Sequence, residues 1–239
     1  MIVGLIQPGE MGSAVGDALV ANGHDVIWAS GGRSEATRER ARGFRDVATL
    51  DVLFEESAVV LSIVPPHAAL DVARDASDFA GIYVDANAIS PHHAQEIAEL
   101  HPRFVDGGII GSPPREAGTT RLYLSGELAP EVAALFDGTV LEARLVSDAS
   151  ALKMAFAAWS KGSAAMLLAI EGVAKEYGVW DALAAEWGDE LLGRLEQAHQ
   201  SAEEKGWRWA GEMEEIADTF AAAGQPPGFH RAAAEVYRP

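Results

Sequence analysis

The stretch MIVGLIQPGEMGSAVGDALVANG, residues 1–23, decides the fold. From Ile2 to Gln7 the residues are mostly apolar and β-compatible, Gly9 leads into a helix predicted from about Met11 to Asn22, and Gly23 ends it. A strand, a glycine turn and a helix in that order are the context that a dinucleotide-binding turn needs. The glycines of such a turn have separate tasks: a tight bend, room for a pyrophosphate against the backbone, and close packing of helix on strand. Gly9 and Gly12 fill the second and third. Gln7 replaces the first, so Pro8, with its fixed φ, is expected to shape the bend. Gln7, Pro8, Gly9, Glu10, Met11 and Gly12 are therefore the candidate pyrophosphate site, where free N–H groups at the helix start meet an anion.

Downstream, strand and helix patterns alternate. DVIWAS (25–30) reads as a second strand, SEATRERA (34–41) as a polar-faced helix, and Phe44 to Val47 as a third strand. AVVLSIV (58–64) is apolar on both alternating faces and stops at Pro65-Pro66, as suits a central strand of a sheet covered on both sides. A helix from about His67 to Ala76 follows, then a strand in GIYVDANAISP that ends in a polar loop at Asp85. RFVDGG (103–108), TRLYLSG (120–126) and VLEARLV (140–146) complete the strand-like segments. This alternation implies a doubly wound, Rossmann-type α/β domain over residues 1–146. From Asp148 onward no strand pattern occurs. One long helix over SALKMAFAAWSKGSAAMLLAIEGVAKEY, with more helices up to Tyr237, makes residues 147–239 an all-helical second domain.

The end of the second strand discriminates between cofactors. An NAD-binding fold usually places Asp or Glu there against the ribose hydroxyls, but the chain reads WASGGRS. Ser30, Arg33 and Ser34 offer a guanidinium and two hydroxyls, which suit a 2′-phosphate. NADP is favoured over NAD.

Composition narrows the partners. Asp and Glu number 36 against 18 Lys and Arg, a net charge of −18, which argues against nucleic acid held through its phosphates. There is no cysteine, so thiol nucleophiles and cysteine-bound metals are excluded. MIVGLI has neither a basic leader nor a small-residue cleavage site, and a cytoplasmic location is the expectation. Ala149 to Ile170 is long and apolar, yet it carries Lys153 and Lys161, each costly at mid-membrane; a buried helix of a soluble protein is expected. His92-His93, Glu203-Glu204 and Glu214-Glu215 lack metal-ligand spacing and read as solvated faces.

The motifs QPGEMG, GRS, LSIVPP, YVDANAISP, FVDGGIIG, ALKMAF and GFHRAAAEVY, in this order over nearly the whole chain, resemble the β-hydroxyacid dehydrogenases. These are relatives of 6-phosphogluconate dehydrogenase that include 3-hydroxyisobutyrate dehydrogenases. The chain looks most like a branch whose C-terminal domain is of unknown function. The resemblance implies hydride transfer between a nicotinamide cofactor and a small-molecule hydroxyl or carbonyl, and a homodimer formed through the helical domain. It implies that Ile63, Val64 and Pro65 pass the ribose and nicotinamide, with Asn87 near the nicotinamide. It maps Ile110, Gly111 and Ser112 onto the loop that grips a substrate carboxylate, with Ile110 where the family has serine. Lys153 matches the lysine of the family's Gly-x-x-x-Lys helix signature and is the expected general acid/base; independently, a lysine in an otherwise apolar helix needs a reason to be there. Four residues on, Ala157 replaces the family's asparagine, and Ser160 or Lys161 are the candidates to take over its task. Glu212 keeps the acid of the family's Lys-Asp-Leu opening, whereas Gly211 replaces its lysine. Trp209 and Trp207 are candidate pocket walls, and His230 a candidate cleft residue. Two other readings stay open: imine reduction on the same architecture, and a redox-silent NADP-binding protein.

Overall fold

The computed structural model describes residues 1–238 and divides into two compact units, residues 1–153 and Met154 onward. The first contains β1 (Ile2–Leu5), α1 (Glu10–Ala21), β2 (Asp25–Trp28), α2 (Glu35–Arg40), β3 (Arg45–Asp46), α3 (Leu50–Glu56), β4 (Val59–Ser62), α4 (Ala69–Asp75), β5 (Ile82–Asp85), α5 (Pro91–Leu100), β6 (Phe104–Gly111), β7 (Thr120–Ser125), α6 (Ala129–Ala133) and β8 (Glu142–Leu145). They build one eight-stranded sheet in the order β3-β2-β1-β4-β5-β6-β7-β8.

Alternation along the central strands explains why both faces are covered. Val3 and Leu5 of β1, Val59 and Leu61 of β4 and Ile82 and Val84 of β5 join one apolar cluster. Ile27 of β2, Val60 of β4 and Tyr83 of β5 join the other. Each large aliphatic so buried contributes on the order of 1.5–3 kcal/mol relative to exposure. Such strands need helices on both sides, which only parallel crossovers supply. The pairs are parallel from β3 to β6, whereas β6 and β7 form an antiparallel hairpin with Asp106 opposite Ser125 and Gly111 opposite Thr120. The order reverses between β1 and β4, so the crevice beyond their C-terminal ends is the topological switch point where ligands bind in this architecture.

The two edges differ from the interior. β3 is two residues long, with Arg45 paired to Asp25 and Glu56. β8 carries Glu142 and Arg144, paired with each other, and Glu142 also meets Arg121 of β7.

The long helix α7 (Ala149–Glu176) begins in the first unit and continues into the second. Its first turn is tied to β6 and β7, which is why the unit extends past residue 146, where the change of pattern set the sequence boundary. The second unit continues with α8 (Trp180–Ala222), broken at Gly188 (φ 66°, ψ 179°), and α9 (Gly228–Val236). Its core includes Leu195, Met213, Ile216 and Tyr237. No described helix is long and apolar enough to cross a membrane. The expectation of a buried helix at 149–170 holds on one side of α7 only, since Phe156, Trp159, Met166 and Ile170 are exposed.

Candidate active site

The turn after β1 is shaped by backbone sterics. Gly9 N–H donates to the Gln7 carbonyl (2.8 Å) across Pro8, and Ser13 N–H closes the first turn of α1 on Gly9 O. A Cβ at Gly12 would lie 2.5 Å from Gln7 O, so only glycine lets α1 approach the strand this closely. A Cβ at Gly9 would meet nothing within 4 Å. No side chain caps the helix, so its leading N–H groups face an open approach, the arrangement that receives an anion.

Gln7 has a task that its standing in place of a glycine does not reveal by itself. Its side-chain oxygen accepts from Arg33 Nη1 (3.4 Å), and Arg33 Nη2 donates to Ile6 O (3.2 Å). The exchanged residue therefore ties the turn after β1 to the arginine expected at the ribose end. Arg38 of α2 joins that end through Ser30 O (2.9 Å), a contribution the sequence reading missed. Asp46 of β3 accepts from Ser30 N (3.2 Å) and Ala48 N (2.8 Å). Burial pushes its carboxyl up, but hydrogen bonds from Ser30 and Ala48 outweigh this and hold it below the usual range. Ser34 caps α2, accepting from Thr37 N.

Beyond β4 and β5 the loops are locked together by Asn87. Its Oδ1 accepts from Val64 N (2.6 Å), and its Nδ2 donates to Ser62 Oγ (3.0 Å) and Asp85 Oδ2 (2.6 Å). Every polar atom of this buried side chain has a protein partner, so Asn87 holds Val64 and the Ile63–Pro65 loop in place. Beneath it Tyr83 stacks on His101 (4.0 Å between centroids), and burial pushes the Tyr83 hydroxyl far up. His101 Nε2 donates to Ala73 O while Nδ1 has no partner, and burial pushes its pKa down.

Lys153 stands one turn into α7, and its Nζ donates to Ile109 O (2.7 Å). β6 is parallel to β5 and runs past it, so Ile109 lies on the same edge of the sheet as the ends of β1 and β4. Ile110 and Gly111, expected in a loop, are paired strand residues opposite Arg121 and Thr120. Gly111 has φ 127°, and its Cβ would lie 2.3 Å from Thr119 O; this strained hairpin end explains the glycine. Ser112 gives its carbonyl to the Thr120 hydroxyl.

In the second unit the candidates separate. Lys161 forms an ion pair with buried Glu212 and lies 5.7 Å from the Trp209 ring centroid, while Tyr237 donates to Lys161 O (2.6 Å). Ala157 is buried, and Ser160 is exposed and bonds to its own helix. Trp207 is exposed, so it walls no core. His230 is packed edge-on against Phe220 and Phe229, and burial pushes its pKa down. His199 and Lys175 pair with Glu171, a cluster that the apolar pattern of α7 hid; burial pushes Glu171 up, but these two partners hold it below the usual range. Among the described residues no group of three or more His, Asp or Glu is arranged to hold a metal ion.

Residues 2–89 match the NADP oxidoreductase, coenzyme F420-dependent family, and residues 172–239 match a domain of unknown function, DUF1932. An uncharacterized 28.5 kDa protein in 7S RNA 5′ region of Methanothermus fervidus is 33% identical over 191 residues, which cover 77% of this chain and 74% of that protein. The conserved protein MTH1747 of unknown function, whose structure reveals similarity with 3-hydroxyacid dehydrogenases, is 30% identical, with 99% of this chain and 96% of that one covered at a TM-score of 0.72. The chain belongs to the β-hydroxyacid dehydrogenase-like superfamily. Within it, the C-terminal match places the chain in the branch that ends in this domain. A 3-hydroxyisobutyrate dehydrogenase of Salmonella typhimurium shares the superfamily fold at 15% identity, with 99% and 93% of the chains covered and a TM-score of 0.72.

Proposed function

We propose that this superfamily member is an NADP-dependent oxidoreductase acting on a hydroxyl or carbonyl of a small molecule, with Lys153 as general acid/base. The observation that carries the reading is within the first unit: the uncapped helix start after β1, the Arg33 end of β2 and the Lys153 ammonium all lie at the C-terminal edge of one sheet. The residues present fit the cofactor. Open space over Gly9 and the free end of α1 suit a pyrophosphate, and Arg33 with Arg38 suits a 2′-phosphate. Bound nicotinamide supplies or accepts the hydride. The protein's part is to hold an ammonium where a carbinol or carbonyl oxygen can exchange a proton with it. Lys153 already donates to one carbonyl oxygen, Ile109 O, at the end of a flexible stem.

Two measurements test this. Fluorescence titration with NADPH and NADH reads the cofactor site, and purified protein with NADP⁺ and 3-hydroxyisobutyrate, or NADPH with a ketone with and without an amine, reads the chemistry. Lys153→Ala is expected to fold and bind NADPH normally while turnover falls by about 100-fold or more; near-normal turnover removes Lys153 from the reaction. Turnover only when amine is present favours imine reduction, and tight NADPH binding without any hydride exchange favours the redox-silent reading.

The helical unit supports a homodimer. Phe156, Trp159, Met166, Ile170 and Val173 are exposed on α7, and Tyr177 just after its end, at the alternating three- and four-residue steps that pass through Ser163. This is the seam spacing by which one helix packs on another, and it bears no charge in a strongly acidic chain.

A further inference from the structure

The first four N–H groups of an α-helix have no partner within it. In α7 one of these, Ala151 N, is met by Asp148, the residue before the helix, whose Oδ1 accepts it (2.7 Å), and the first helical bond runs from Leu152 N to the Asp148 carbonyl (3.3 Å). Two more are met from a different element. Asp106 of β6 accepts through Oδ2 from Ala149 N and Ser150 N (both 2.9 Å), while its Oδ1 accepts from Ser150 Oγ (2.5 Å). Ser125 of β7 donates to the same Oδ2 and itself accepts from Ala149 N. A carboxylate facing only donors at a helix N-terminus is strongly held.

Asp148 alone is an adequate cap, so the helix does not need Asp106 in order to form. What Asp106 fixes is where α7 sits along β6. Three residues further on the same strand, Ile109 O receives Lys153 Nζ. Between them, a Cβ on Gly108 would lie 2.9 Å from Ala149 O and 3.0 Å from Lys153 Cβ, so the helix rests directly on the strand backbone. One strand thus grips the first turn of α7, lets it lie close, and meets the lysine one turn on.

We propose that Asp106 is a positioning residue: by clasping the first turn of α7 to β6 it sets the point at which the Lys153 ammonium stands. The inference rests on the reading of Lys153 as the acid/base group. Asp106→Asn would keep the shape but replace one acceptor oxygen by an NH₂ group aimed at donors. The clasp loosens while the cofactor turn, on β1 and α1, is untouched.

The chain has four lysines, Lys153, Lys161, Lys175 and Lys205. Reductive methylation with ¹³C-formaldehyde therefore gives a sparse spectrum, in which Lys153→Arg assigns the Lys153 signal. In Asp106→Asn that signal is expected to move toward the position of a solvated dimethyl-lysine while the other three stay in place and NADPH affinity holds within about twofold. In the turnover assay above, kcat is expected to fall by on the order of 100-fold with KM little changed. Ser150→Ala removes a single bond of the clasp and is expected to give the same shift in smaller degree, which serves if Asp106→Asn does not fold. An unmoved Lys153 signal in either folded variant, or a moved signal with wild-type kcat, overturns the proposal. If wild-type protein exchanges no hydride but the Lys153 signal moves, the clasp stands and the oxidoreductase reading fails.

Discussion

Gly9 and Gly12 lie in one turn, and replacing each by alanine should separate folding from cofactor binding. At Gly12 the added Cβ would be 2.5 Å from Gln7 O, short of ordinary contact by about 0.9 Å, and both sides of the clash are backbone. Overpacking of this kind costs about 1–3 kcal/mol. For a chain of this length each kcal/mol lowers Tm by about 2–4 °C, so Gly12→Ala should melt roughly 2–12 °C below wild type. At Gly9 the added methyl meets nothing, and φ −68° is open to alanine. Restricting the unfolded chain gains about 0.4–1 kcal/mol, and alanine as an N-cap loses a similar amount, so Tm should stay within about 2 °C. The same methyl fills the space that a pyrophosphate needs. Loss of one charge-assisted N–H contact, about 1.5–3 kcal/mol, weakens NADPH by roughly 10- to 100-fold. Differential scanning fluorimetry and fluorescence titration read the two effects. Gly9→Ala that keeps wild-type NADPH affinity would refute the pyrophosphate-turn reading, whatever its Tm.

Arg33→Ala should weaken NADPH about tenfold or more and NADH much less, because only NADPH carries the 2′-phosphate; equal losses in parallel titrations would restrict Arg33 to bracing Gln7 and Ile6. Acid should destabilise the fold. The pKa values of His101 and His230 are pushed down by burial, so the unfolded state binds their protons first and stability is lost as pH falls below about 6.5. Glu171, also held low, adds a further loss only below its ordinary value of 4.5. Thermal melts between pH 7.5 and 5.5 should show Tm falling, with a shallower slope in His101→Phe; a flat profile would contradict the assignment. Trp159→Glu, placing charge in the α7 seam, should convert a dimer into a monomer in size measurements by light scattering, and a wild-type protein that is monomeric at micromolar concentration would sink the seam.

The order of elements was legible because each central strand is apolar on both faces and every crossover but the one through α3 is bounded by glycine or proline. α3, a seven-residue helix with an ordinary polar surface, gave no such signal. At the site, residue types were legible and partnerships were not. Gln7 looked like a lost glycine because its partner Arg33 lies 26 residues away. The bonds by which Asn87 holds Val64, Ser62 and Asp85 join residues from two strands and their loops, a meeting that no spacing in the sequence encodes. The pairing of Lys161 with Glu212 spans 51 residues between two helices, a separation that no helical periodicity encodes. The clasp at Asp106 was hidden from the sequence, since the antiparallel turn back into β7 is what brings Ser125 beside it.

The guarded borders of the sheet limit how this protein can meet other chains. A two-residue β3 with its arginine engaged, and a β8 whose Glu142 and Arg144 neutralise each other, leave little backbone for a foreign strand to zip onto. Fibril-like stacking and strand exchange are disfavoured at both margins, so crowding or partial heating should drive association through side-chain surfaces and leave the sheet eight strands wide.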